Sequence, residues 1–164
     1  ERFCQYTTTE LLTEKGVLVV TGYFCDGFDF NFPENYQSTV NPQEIYNAFY
    51  STVKPYFNCD RDALDKGHSN YDFERYFKDF ERHDYEQRTE LTVEKFVNYL
   101  RTYSAYNVYK KKFESEADYK DPLKALEESI KQALDEYYKK TGAQPLEKPI
   151  TMKMHFFLLV MSDF

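Results

Sequence analysis

The 164 residues contain no tryptophan, only five glycines and only three cysteines, Cys4, Cys25 and Cys59, odd in number and widely spaced. With no CxxC pair and no short disulfide framework, these read as reduced thiols of an intracellular protein. An excess of positive charge is also missing: 28 acidic residues against 21 basic ones leave a net charge of -7. That balance works against tight binding to a phosphate backbone or an anionic membrane, so neither nucleic acid nor membrane is expected as a partner. The longest apolar run, residues 156–161, falls far short of the roughly 20 residues of a membrane span. The start lacks the basic-then-apolar order of a signal peptide, and a cytoplasmic protein is expected. It is Glu1 rather than a methionine, inside what reads as a helix under way, which suggests a cut or processed start. His68, His83 and His155 show no HxxxH or HxH spacing, so no metal site is expected. No GxSxG surrounds a serine and Cys59 has no helper nearby in sequence, which disfavours nucleophilic catalysis.

What is abundant is the aromatic ring. Sixteen tyrosines and 15 phenylalanines make up 19% of the chain, so large rings must supply much of the core and of any pocket wall. The length suits one domain or part of one.

Residues 3–15 carry Phe3, Cys4, Leu11 and Leu12 at spacings compatible with a helical stripe, and Gly16 follows where a left-handed residue would end it. Residues 17–21 are β-branched and apolar on both faces, as a strand covered on each side of a parallel sheet reads. A helix-to-strand junction this tight suggests an α/β layered fold. Residues 24–40 read as an unusually aromatic loop, with turn chemistry at Asp26-Gly27, Asn31 and Pro33. Asn41 is a candidate N-cap with Pro42 in the first turn and Ile45, Ala48, Phe49 and Val53 along one face. Residues 60–70 read as irregular, and residues 73–89 as a short helix running into a strand. Thr92 caps a further helix, with Leu91 and Phe96 placed as a hydrophobic staple. Another helix begins near Ser104 and ends in Lys110-Lys111-Lys112, where positive charge complements the macrodipole. Residues 114–121 read as the linker before a third, capped by Asp121 with Pro122 at its start and Gly142 at its end. Residues 150–160 alternate as a long antiparallel terminal strand.

Two stretches carry a resemblance. Leu12-Thr13-Glu14-Lys15-Gly16-Val17-Leu18-Val19-Val20-Thr21-Gly22-Tyr23 is similar to the helix, glycine turn and fifth strand of class I S-adenosylmethionine-dependent methyltransferases of the trans-aconitate methyltransferase group. Leu91-Thr92-Val93-Glu94-Lys95-Phe96-Val97-Asn98-Tyr99-Leu100-Arg101-Thr102-Tyr103-Ser104-Ala105-Tyr106 resembles that group's helix pair around an Arg-Thr-aromatic-Ser-Ala-Tyr core. The resemblance implies the C-terminal half of such an enzyme: one partial domain, residues 1–164, with an α/β Rossmann-like sheet, substrate-lid helices within residues 41–148 and an antiparallel terminal strand. It implies a small-molecule substrate, a carboxylate among the candidates. It also implies S-adenosylmethionine as cofactor of the full-length parent, with none expected for this chain alone. The glycine-rich turn and the acidic residue that hold this cofactor would lie upstream of Glu1. Without the first four strands, residues 17–21 would lose neighbours on one edge, so a missing N-terminal half or partner chain is expected.

Within this frame Tyr23 and Phe24, just beyond the valine-rich strand, are candidates to face the substrate, because strand-end loops line the crevice of open α/β sheets. As core aromatics they would instead be structural. Arg101, Tyr103 and Tyr106 cluster with Ser104 at a helix junction, where a guanidinium and hydroxyls can grip a carboxylate. The plainer alternative has Ser104 capping the next helix and Arg101 pairing with a surface acid. Methyl transfer asks chiefly for positioning and sometimes for a base, so a missing triad does not count against it. A non-catalytic ligand-binding or interaction module built on the same half-fold is the rival reading, and an unrelated α+β pocket protein a third.

Overall fold

The computed structural model describes residues 2–13 and 15–163. The chain divides into two compact units: Glu1–Phe24, Asp60–Gln87 and Met154–Phe164 form the first, Cys25–Cys59 and Arg88–Lys153 the second. Three 13-residue strands, β1 (Leu18–Phe30), β2 (Asp79–Leu91) and β3 (Ile150–Ser162), contribute to both units. They form one antiparallel sheet in the order β1-β3-β2. The class is α/β, and the strand nearest the C-terminus lies in the middle.

The valine run, expected as an inner rung of a parallel sheet, therefore sits on an outer strand. Among the described residues none supplies β1 with a second neighbour. Residues 24–30, expected as loop, continue β1. Phe28 and Phe30 alternate with Gly27 and Asp29 at strand period, and Gly27 adopts φ 109° without ending the strand.

In the first unit α1 (Arg2–Tyr6) passes into a π-helical turn, Thr7–Leu11. The helix stops short of Gly16, which is not left-handed. Threonine hydroxyls account for the early stop, since Thr7 donates to the Phe3 carbonyl and Thr9 to that of Gln5, competing with the regular ladder. The core gathers Cys4, Phe77, Phe157, Leu159 and Met161, with Leu18, Val20 and Phe80 against them. Gly22 is needed there, because a Cβ at that position would run into the ring of Phe157. Residues 60–70, expected to be irregular, contain a short helix, α3 (Arg61–Asp65), capped by Asp60. The helix expected from residue 73 is absent, and turns fill the stretch between α3 and β2. The opposite sheet face leaves Val19, Tyr23, Tyr85 and Leu158 exposed.

The second unit is mainly helical: α2 (Pro42–Val53), α4 (Val93–Arg101), α5 (Ser104–Phe113) and α6 (Pro122–Thr141). Asn41, Thr92 and Asp121 accept hydrogen bonds from first-turn amides, and Gly142 closes α6 in the left-handed conformation. Helix α6 packs on α2 and α4, burying Leu126, Ile130 and Leu134 in a core that includes Phe28, Phe49, Phe96 and Leu100. Rings extend it: Phe30 stacks on Phe32 at 4.8 Å and Phe32 on Tyr137 at 4.4 Å.

Candidate functional site

Tyr23 and Phe24 are consecutive on β1 and point to opposite faces. Tyr23 is 57% exposed, with its ring 5.6 Å from Phe156. Phe24 stacks on His155 of β3, with centroids 4.9 Å apart. Nε2 of that imidazole is 2.8 Å from Oδ1 of Asp84 on β2. Arg82 grips the same carboxylate with two nitrogens, at 2.6 and 2.8 Å, and donates its third to the Gly67 carbonyl at 2.7 Å. The guanidinium holds the Asp84 carboxyl below the usual aspartate range, with His155 adding to the effect. The carboxylate faces Nε2 and so fixes the orientation of the imidazole on β3. Phe24 thus touches a His–Asp–Arg chain rather than serving as plain core.

The other three residues belong to the second unit. Arg101 donates to Asn98 at 2.6 Å, so its guanidinium is tied to its own helix rather than to a surface acid. The Tyr106 hydroxyl donates to both oxygens of Asp121, at 3.0 and 3.2 Å, while Asp121 also caps α6. Burial first, then this carboxylate, pushes the phenol well above its ordinary value. Arg101 and Tyr106 line one cavity of about 300 Å³ with Asp121, Lys124 and Glu127, and Tyr103 is not among its walls. Tyr103 turns toward Tyr46 and Cys25, and burial drives both phenols and the thiol upward in pKa. Tyr46 donates to the Cys25 carbonyl at 2.9 Å. The sequence cluster is therefore split in two at the helix junction.

Arg82, Asp84 and His155, and the Cys25–Tyr46 pair, escape the sequence reading. Arg82 and Asp84 are two apart in a strand, which places them on one face, but nothing in the sequence fixes the register that brings His155 opposite. Among the described residues no three His, Cys, Asp or Glu side chains gather as a metal site, and no helix is long and apolar enough to cross a membrane.

No protein-family model and no curated protein matches the chain. Among solved structures it is similar to "a Putative Type II Methyltransferase from Anaeromyxobacter dehalogenans", with a TM-score of 0.54 at 14% identity. The match covers 91% of this chain and 53% of that one, so the chain spans about half the length of this neighbour. At this identity the likeness concerns the fold alone: the chain has a methyltransferase-like α/β fold.

Proposed function

We propose that the chain is the C-terminal, substrate-side portion of an S-adenosylmethionine-dependent methyltransferase acting on a small molecule, with the helices of the second unit as its substrate lid. The observation that carries this reading is the strand order, in which the final strand enters antiparallel between the other two. The fold likeness over most of the chain supports it. Tyr23, Phe24, Arg101, Tyr103 and Tyr106 are the substrate-side residues of this proposal. His155, held by Asp84 and stacked on Phe24, is the base for an acceptor that must lose a proton; a carboxylate acceptor would need only a cationic grip.

In this reading the cofactor is held outside the residues present. A backbone that approaches a nucleoside needs open glycine turns, whereas four of the five glycines already face neighbours: Leu12 at Gly16, Phe157 at Gly22, Gln43 at Gly27 and Arg82 at Gly67. Its binding belongs to a longer form or a partner chain. Calorimetric titration of S-adenosylmethionine into this chain and into a form extended upstream tests the reading, with binding expected for the extended form alone. Binding by neither would sink it and favour the rival, a non-catalytic ligand-binding or interaction module, which the occupied glycines also suit.

A further inference from the structure

The first unit contains a hollow of about 280 Å³ walled by Phe3, Cys4, Val20, His68, Tyr71 and Phe73. It is close to the lower end of the roughly 300–1,000 Å³ typical of small-molecule sites. The walls are apolar except for the His68 imidazole and the Tyr71 hydroxyl, and the latter already donates to Asp60 at 3.3 Å. A second hollow of about 210 Å³ shares Cys4, Tyr71 and Phe73 and adds Asn70, Asp72 and Arg75. The two hollows flank a shared wall, the first mainly apolar and the second more polar.

His68 lines the apolar hollow beside Tyr71, a wall the two hollows share. Its backbone has φ 59°, directly after Gly67 at φ 54°, and a left-handed non-glycine residue is retained only when its surroundings enforce it. They do so here. Amides of Gly67 and His68 close the end of α3 onto the carbonyls of Leu64 and Ala63, both at 2.8 Å. Arg82 holds the Gly67 carbonyl, and the His68 ring meets Phe157 edge-on at 5.4 Å. Neither ring nitrogen has a hydrogen-bond partner among the described residues, although the residue is half-buried. A ring held this firmly against apolar walls, with its nitrogens open to water, suits a ligand that brings an acceptor in place of that water.

We propose that the first hollow is a small-molecule site for a compact aromatic or branched aliphatic compound bearing one neutral hydrogen-bond acceptor, which His68 engages. The lining favours a neutral end over a carboxylate, because the described walls of this hollow hold no lysine or arginine and Asp60 occupies the Tyr71 hydroxyl. The site lies within the first unit and does not depend on the methyl-transfer reading.

The test is an NMR titration of the full chain with 4-methylbenzamide, 4-methylbenzoate and toluene, following the amides of Val20, His68 and Phe73. Saturable shifts at these residues are expected, with the amide binding roughly three- to tenfold tighter than toluene, the worth of one hydrogen bond. The benzoate should bind more weakly than the amide. His68→Gly keeps the left-handed backbone and removes the ring, so the amide and toluene should bind alike. His68→Asn tolerates the same φ and restores a side-chain donor, so the preference should return. Absence of saturable shifts with all three probes, shifts confined to other residues, or a preference unchanged in His68→Gly would each overturn the proposal.

Discussion

Asp84 accepts from Arg82 and His155 on the sheet, and these partners hold its carboxyl below the usual aspartate range. A carboxylate whose folded pKa is depressed adds stability above its unfolded pKa and loses it as pH falls through the folded value. The loss therefore falls below about pH 4, the unfolded aspartate value. The contribution is modest because the side chain is 37% exposed. Asp84→Asn should melt lower than the native chain at pH 7, with the gap closing toward pH 3, as followed by circular dichroism; a constant gap would count against the charge assignment. At this scale the sequence is only half legible. Arg82 and Asp84 can be read onto one strand face from their spacing, but His155 is 71 residues away from Asp84 and their meeting depends on register.

Helix starts are the most legible elements, because capping is local chemistry. Asn41-Pro42, Thr92 and Asp121-Pro122 all start helices where the sequence places them, and Gly142 ends α6. The misread elements have local causes too. The hydroxyls of Thr7, Thr8 and Thr9 donate to backbone carbonyls of the first helix, and Gly27 takes a positive φ within β1 without ending it. Asp121 joins two elements, capping α6 while receiving the Tyr106 hydroxyl from α5. Asp121→Ala should cost about 1–3 kcal/mol, a lost cap plus a phenol left without its acceptor. Tyr106→Phe should cost less, about 1 kcal/mol, since the cap survives. Urea unfolding of both single variants and the double one would measure the coupling, and a double variant whose cost equals the sum of the two single costs would contradict it.

Across the whole molecule, the α/β class and the antiparallel final strand are readable from periodicity, whereas strand order is not, because pairing partners leave no local trace. The exposed sheet face of the first unit shows the consequence. Val19 is 53% and Tyr85 66% exposed, beside Tyr23 and Leu158, an apolar surface of the kind that invites association. The net charge of -7 opposes self-association without covering that face. Val19→Lys with Leu158→Lys should reduce binding of an anilinonaphthalene dye and concentration-dependent sedimentation, while stability stays within about 0.5 kcal/mol for each surface change. Undiminished dye binding would place the adhesive surface elsewhere.

The central position of β3 also orders events during synthesis. Among the described residues, β1 and β2 share one ladder partner, residues 150–162, so this pairing waits until the end of the given sequence leaves the ribosome. Contacts so distant in sequence slow folding, and a stop codon placed just before Ile150 would remove the strand on which β1 and β2 both pair among the described residues, a loss from the middle of the sheet rather than from its margin.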